Sequence, residues 1–221
     1  MSITTRRAGR GDASLSRERI IEAAIELLDN EGEGGLTFRA LSQRLATGAG
    51  AIYWHVANKD DLLNAACDAI VASTLAGMDA DPTPQARIRA IGLAMFDTID
   101  AHPWIGAELA RASWKMPMVR LLESLGQQVQ ALGVEPAALG VATTTLLSYI
   151  LGVAGQNAAN AQTARSQQLV RDTFLESVAN DWLALDADRF PFTRSLAVHL
   201  RDHDDRNDFA AGIDLIMQGI R

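Results

Sequence analysis

The sequence has one cysteine, Cys67, and two lysines, Lys59 and Lys115, among 221 residues. A single cysteine excludes an intrachain disulfide and a cysteine-rich zinc site, which favours a reducing cytoplasm. A phosphate-binding P-loop is also excluded, because it ends in Gly-Lys-Ser/Thr and neither lysine lies in such a sequence. No apolar segment follows the N-terminal arginines as it does in a secretory signal. No useful length of alternating apolar and polar residues predicts a β-strand.

Other absences bear on the class of protein. Residues 136–164 carry no charge, but they include too many Thr, Asn and Gln residues for a membrane span of about 20 mostly apolar residues, so we predict a buried helix and no membrane partner. His-Glu-x-x-His and Gly-x-Ser-x-Gly are absent, and no carboxylate and histidine cluster has a spacing that fixes a catalytic role. The sequence therefore predicts neither an enzyme nor a cofactor.

One histidine pair near the C-terminus raises the question of a metal. His199 and His203 are four residues apart beside Asp202, Asp204 and Asp205, a spacing that metal ligands on a helix use. The favoured interpretation is a polar loop before the last helix, so no metal is predicted.

The net charge of −7 is unevenly distributed. Residues 1–59 carry a net charge of +1 and the remainder a net charge of −8. Five of the first 19 residues are arginine and two are acidic. This excess of positive charge would favour binding to a phosphate backbone, but a solvated, disordered tail would also account for it. We expect residues 1–15 to form a flexible basic arm.

Helical spacing of apolar residues extends along the chain and predicts an all-α fold. Thr37 caps a short second helix, and a small-residue stretch separates it from a third. The predicted helices are 16–31, 37–45, 49–56, 58–75, 85–101, 103–114, 117–132, 136–160, 166–185, 192–199 and 208–219. We expect a helix-turn-helix domain over residues 16–60 and a second helical domain over residues 61–221.

The small-residue stretch reads ATGAGAIYWHV from Ala46 to Val56. Its glycines follow a helix, whereas a dinucleotide-binding loop follows a strand, so a nucleotide site is disfavoured. A helix-turn-helix fits better: its second helix ends near Leu45, a turn covers residues 46–48, and a third helix enters the major groove.

The N-terminal sequence resembles the tetracycline-repressor-like (TetR) family of transcriptional regulators over about residues 16–65. The matching segments are IIEAAIELL (20–28), GLTFRAL (35–41), RL (44–45) and GAIYWHVANKDDLL (50–63). The resemblance implies a homodimer with an N-terminal three-helix DNA-binding domain and a C-terminal helical ligand-binding and dimerisation domain. It also implies binding to a palindromic operator, with release by a small molecule, here expected to be apolar or aromatic.

The resemblance and the chemistry of the side chains together suggest a set of DNA-contacting residues. Tyr53 and His55 would reach the groove edge or phosphate, Lys59 would join a helix N-terminus at one phosphate, and arginines of the arm would enter the minor groove. Trp54 is expected in the core. The full predicted DNA set is Arg6, Arg7, Thr37, Arg39, Arg44, Thr47, Gly48, Ala49, Gly50, Ala51, Tyr53, His55 and Lys59.

The positions expected to face bases carry almost no hydrogen-bonding side chains. Residues 48–51 are Gly-Ala-Gly-Ala, whereas direct readout relies on Arg, Lys, Asn or Gln at base edges. We therefore predict modest base specificity that rests on backbone approach, Tyr53 and DNA shape.

The second domain is expected to hold the effector pocket and the dimer interface. Small residues over about Pro136–Asn160, together with Phe209–Ile220, predict two helices per subunit in a four-helix bundle. An ordinary intrachain contact would also explain them. The predicted ligand-binding residues are Phe96, His102, Trp104, Trp114, Met118, Tyr149, Gln156, Asn160, Phe174 and Trp182.

Two alternatives to a repressor stay open at this stage. One is a small helical enzyme that uses the C-terminal cavity. The other is a helical interaction protein with weak DNA specificity, which the bare base-facing positions would allow.

Overall fold

The computed structural model describes residues 15–78, 83–111, 114–166, 170–200 and 203–220. These residues form eleven α-helices and no strand, which confirms the predicted fold class. In chain order the helices are α1 Arg17–Gly35, α2 Phe38–Arg44, α3 Ala49–Tyr53, α4 Lys59–Ala76, α5 Pro84–Ala101, α6 Trp104–Arg111, α7 Met116–Ala131, α8 Leu139–Ser166, α9 Arg171–Leu183, α10 Pro191–Ala197 and α11 Asp205–Gly219. The predicted arm, with Arg6 and Arg7, lies outside the described residues.

The chain divides into two compact units, residues 1–66 and 67–221. The division falls within α4, a few residues beyond the boundary predicted after residue 60. Each unit has its own packing and is described by itself.

The first unit is built on α1, whose N-terminus is fixed by a cap. The Ser16 hydroxyl accepts a hydrogen bond from the Arg19 backbone N–H at 3.3 Å. The helix then buries one apolar face, because Ile20, Ala24 and Leu28 recur at helical spacing and are at most 2% exposed. Near its end Gly32 takes a left-handed φ of 67°, a conformation that glycine adopts without steric cost.

The start of α4 is fixed by a reciprocal pair of side-chain hydrogen bonds. The Asn58 Oδ1 accepts from the Asp61 N–H at 2.8 Å, and the Asp61 carboxylate accepts from the Ala57 N–H at 3.1 Å. This arrangement places Lys59 in the first turn of α4.

The second unit encloses the larger core, which lies between α5, α7, α8 and α11. Ile91, Met95, Leu125 and Ile150 are at most 2% exposed at its centre. Burying a side chain of this size stabilises the fold by about 1.5–3 kcal/mol.

The long helix α8 differs most from its predicted bounds. It begins at Leu139 because Pro136 lies in a turn, and it continues to Ser166, beyond the predicted end near Asn160. Its length, and the mean hydropathy of 1.3 over an 18-residue window, would also suit a membrane span. Leu146 and Ile150 of α8 belong to the core of the second unit.

Candidate nucleic-acid interface and internal cavity

The N-terminus of α2 offers an exposed hydroxyl. The Thr37 Oγ1 accepts a hydrogen bond from the Ala40 N–H at 3.1 Å and so caps the helix, as predicted. Capping uses an oxygen lone pair and leaves the hydroxyl proton available for an external acceptor. Thr37 can therefore hold α2 and donate to a phosphate at the same time.

The turn after α2 is tight. Ala46 has a positive φ of 50°, the Ala46 N–H donates to the Gln43 carbonyl, and the Thr47 N–H donates to the Ser42 carbonyl at 3.0 Å. These two bonds form a Schellman motif with alanine in place of the usual glycine. The motif reverses the chain within a few residues and sets the start of α3.

The short helix α3 is fixed by apolar residues on its inner side. Ile52 is fully buried and Val56, just after the helix, is 2% exposed. Because these two residues anchor the segment, Ala49 and Gly50 are left on the exposed side. The helix ends at Tyr53 instead of the predicted Val56.

The two glycines of this segment have no internal steric reason to be glycine. Gly48 has an extended conformation and caps α3, and neither it nor Gly50 has a positive φ. A Cβ added at either position would meet nothing within 4 Å. Only Gly50 lies inside the helix, where glycine costs about 1 kcal/mol relative to alanine.

The aromatic residues that follow are both exposed. The Tyr53 ring stacks on Phe38 of α2 at a centroid distance of 4.3 Å, and the tyrosine is 55% exposed. The expectation that Trp54 is in the core is wrong, because Trp54 is 89% exposed. It occupies the C-cap of α3, where Ile52 and Val56 fill the interior instead.

The basic candidates of the first unit differ in their partners. Arg44 pairs with Glu26 of α1, a bond that ties α2 to α1. The Lys59 ammonium donates to the Glu33 carbonyl at 2.6 Å, which leaves two of its three N–H donors. Arg39 is exposed and makes no ion pair with the described residues. The pKa of Glu18 is lowered mainly because its carboxylate accepts hydrogen bonds from its own backbone N–H and from Ser16. The half-buried His55 lies close enough to add a smaller effect in the same direction.

The second unit contains a cavity of about 670 Å³. It is bounded by α5, α8, α9, α10 and the start of α11, together with His199, Leu200 and His203. Its lining residues are Phe96, Tyr149, Val153, Gln156, Asn157, Asn160, Phe174, Leu175, Val178, Trp182, Leu196, His199, Leu200, His203, Asp205, Asp208 and Phe209. This volume is within the range of small-molecule pockets.

Six of the predicted ligand-binding residues line this cavity: Phe96, Tyr149, Gln156, Asn160, Phe174 and Trp182. The other four lie elsewhere. His102 and Trp104 make an edge-on contact at 6.4 Å, Met118 is buried in the core, and Trp114 is 77% exposed.

Sequence reasoning did not assign the polar end of the cavity to the ligand site. His199, His203, Asp205 and Asp208 bring ionisable groups to its lining. His203 precedes α11, in agreement with the predicted polar loop. The cluster of Asp and His residues around the start of the last helix was the available signal.

A tight turn that joins two short helices, with the second helix held by its inner face, defines a helix-turn-helix, a DNA-binding motif. The sequence profile of the bacterial regulatory proteins of the tetR family matches residues 20–66, which cover this motif.

Comparison with solved structures extends the match to the second unit. The transcriptional regulator SCO7222, a TetR from Streptomyces coelicolor, is 51% identical, with a TM-score of 0.85; the match covers 94% of this chain and 98% of that one. BioQ, solved with its double-stranded DNA operator, is 26% identical with a TM-score of 0.60, over 86% of this chain and 100% of that one.

A curated relative matches mainly the N-terminal part. An HTH-type transcriptional regulator of Saccharopolyspora erythraea is 36% identical over 93 residues, which are 42% of this chain and 39% of that protein. The likeness to SCO7222 over nearly the whole length is decisive. The chain belongs to the TetR family of bacterial transcriptional regulators.

Proposed function

We propose that this protein is a DNA-binding transcriptional repressor that binds a palindromic operator as a homodimer and leaves it when a small molecule enters the cavity of the second unit. The observation that carries the proposal is the geometry of α3. Ile52 and Val56 hold the helix from inside, and its outer side is free to enter a groove. BioQ, a structural relative, was solved on its DNA operator.

Phosphate contacts would surround α3 on both sides. We assign Thr37 and Arg39, at the start of α2, to DNA phosphates on one side of the groove. We assign Tyr53, His55 and Lys59, which end or follow α3, to DNA phosphates on the other side. The exposed Thr37 hydroxyl and the unpaired Arg39 support the first group. Arg44 is the weakest member of the predicted set, because its guanidinium already pairs with Glu26.

The bare outer side of α3 would allow the backbone to approach the bases closely. A Cβ at Gly48 or Gly50 would meet only open space within the protein, so a steric reason for glycine has to come from outside. Ala49 and Ala51 offer methyl groups that suit thymine methyls. We add Trp54 to the DNA set, since an indole that is 89% exposed next to Tyr53 offers a large surface to the sugar-phosphate edge.

The dimer would form through α8 and α11. Val141 of α8 is 70% exposed and Leu215 of α11 is 68% exposed, and apolar side chains of this size favour burial against a partner. Gly140 and Gly152 of α8 have open space around them, which would let a second helix approach. Sedimentation velocity of a Val141→Glu, Leu215→Glu double variant should show a monomer, whereas an unchanged dimer would exclude this interface.

The cavity would hold the effector, and we propose a regulatory role for it instead of an enzymatic one. The wall formed by α9 and α10 is sparsely packed, with Ala179 and Ala197 as its buried residues. A ligand that binds one arrangement of this wall better than another would shift the population of DNA-binding states. A role on the chromosome also implies a cytoplasmic location.

The test is selection of bound duplexes from a random DNA library, followed by footprinting on the selected sequence. We expect a protected palindromic site. Arg39→Ala should weaken binding to all sequences and reduce the salt slope by about 1, as loss of one phosphate contact does. Arg189→Ala, which removes an exposed arginine of the second unit, is the matched control and should change neither.

Two outcomes would contradict the proposal. Failure to enrich any duplex would remove the DNA-binding role. Binding with a steep salt dependence but no enriched site would instead support the interaction protein with weak DNA specificity.

A further inference from the structure

The cavity of the second unit has an acidic end. Asp205 and Asp208 line it, and none of the described lining residues is Lys or Arg. The neighbouring polar groups on α8, Gln156 and Asn160, are neutral amides. Arg171, outside the lining, pairs with Asp205 at 2.6 Å, whereas Asp208 has no Lys or Arg partner among the described residues. An anionic ligand placed beside Asp208 would therefore meet a negative charge, which is unfavourable at short range.

The side chain of His203 lies between these two carboxylates. Its Nε2 is 2.9 Å from the Asp205 Oδ1, and its Nδ1 is 2.8 Å from the Asp208 Oδ2. The imidazole therefore links the two carboxylates in one cluster, within hydrogen-bond distance of both.

Asp208 keeps an oxygen for a further donor. Asp205 is fully engaged, because its Oδ2 accepts from Arg171 at 2.6 Å while its Oδ1 faces His203. The Asp208 Oδ1 has no hydrogen-bond partner among the described residues, and the Asp208 side chain is 65% exposed.

Aromatic rings lie beside this carboxylate. Tyr149 stacks on Phe209 at 5.5 Å with an angle of 11° between the rings, and Phe209 meets Phe96 at 4.8 Å. Burial, helped by the charge of Asp208, raises the pKa of Tyr149 and keeps the phenol neutral. Phe174 and Trp182 line the cavity from α9. Ring faces of this kind attract cations as well as flat apolar groups.

We propose that the cavity binds a cationic aromatic ligand, with its flat ring system among Tyr149, Phe174 and Trp182 and its protonated nitrogen at Asp208. The inference rests on the proposed effector role of the cavity and specifies the ligand class. An aromatic carboxylate of the same shape would place its negative charge beside Asp208 and should bind more weakly.

The test uses two tricyclic probes of similar size and opposite charge, 9-aminoacridine and anthracene-9-carboxylate, added to the full chain without DNA at neutral pH. Calorimetry should show binding of the aminoacridine and at least tenfold weaker binding of the carboxylate. Asp208→Asn should weaken binding of the cation at least tenfold. Asp181→Asn, which neutralises an exposed carboxylate of α9 outside the cavity lining, is the control and should bind as the parent chain does.

A Val178→Trp variant tests whether the cation binds inside the cavity, because the larger side chain would fill part of that space. Its thermal unfolding and circular dichroism establish that it folds, and cation binding should then be lost. Cation binding that survives Val178→Trp or Asp208→Asn would overturn the inference, as would equal or tighter binding of the carboxylate probe or no binding of either probe.

These results are separate from the DNA experiment. A chain that selects an operator but prefers the carboxylate keeps the proposed function and loses this inference. A chain that binds the cation at Asp208 but enriches no duplex keeps the cavity assignment and loses the repressor role.

Discussion

Four glycines, two in each unit, have opposite surroundings. In the first unit, Gly48 and Gly50 face open space, and a Cβ at either would touch nothing. In the second unit, a Cβ at Gly212 would lie 1.8 Å from the Tyr149 hydroxyl oxygen, and one at Gly92 would lie 2.3 Å from Ile213. Gly92 and Gly212 therefore serve helix packing, whereas only an external partner gives Gly48 and Gly50 a steric purpose.

The largest expected effect lies in the aromatic cluster beside the cavity. Phe209→Ala removes a ring that is 1% exposed and contacts both Phe96 and Tyr149. We expect it to lower the free energy of unfolding by about 3–5 kcal/mol, measured by urea denaturation. Phe192→Ala, at a position 72% exposed, should change the free energy by about 0.5 kcal/mol or less. Equal losses would mean that the cluster is not part of a rigid core.

The glycine comparison itself is tested by a matched pair in the second unit. Gly212→Ala forces a methyl group against Tyr149 and should destabilise the protein by about 1–3 kcal/mol. Gly126→Ala, in the interior of α7, where a Cβ would make only ordinary contacts with Thr143 at 3.7 Å or more, should instead stabilise it by up to about 1 kcal/mol. A Tyr149→Leu substitution should restore part of the loss at Gly212. A neutral Gly212→Ala variant would contradict the close helix approach.

A smaller effect is expected at the start of α2. Thr37→Ala removes the acceptor for the Ala40 N–H and should cost about 1 kcal/mol, seen as faster amide exchange in α2. Thr37→Ser keeps the hydroxyl and should restore most of both the protection and the affinity for DNA. If serine restored protection but not affinity, the hydroxyl would have no role at phosphate.

The smallest effect on stability should come with an opposite effect on DNA binding. Gly50→Ala places a better helix former in open space and should raise the free energy of unfolding by about 0.5–1 kcal/mol. Because the added methyl group would face the groove, we expect weaker binding to the selected duplex in an anisotropy titration. A variant that is both more stable and binds DNA as tightly as the parent would show that close backbone approach at Gly50 is not needed.

Local signals made the first unit predictable from sequence. Ser16 and Thr37 cap their helices, and Ile20, Ala24 and Leu28 share one helix face, so each of these signals acts within a turn or two of helix. Trp54 was misplaced because the predicted helix extended past Tyr53. Ending α3 at Tyr53 puts the indole outside, a detail that apolar character alone does not reveal.

The cavity was predicted only in part, since its walls come from distant segments. Phe96, Tyr149 and Phe174 are large aromatics, and size alone suggested them for the lining. The acidic end depends on where α11 begins and on how His203 folds back between Asp205 and Asp208. Helical spacing does not predict a contact of this kind. The polar cluster could therefore be recognised in the sequence, but its position at the cavity could not.

The central claim is that α3 reads DNA without base-bonding side chains at residues 48–51. An anisotropy titration of the full chain against the selected duplex and a scrambled duplex, repeated at several salt concentrations, tests it most directly. Specific binding by DNA-binding proteins exceeds nonspecific binding by about 10³–10⁷-fold. We expect a ratio near or below the lower end of that range, with similar steep salt slopes for both duplexes. A ratio near the upper end, or no binding to either duplex, would contradict the account.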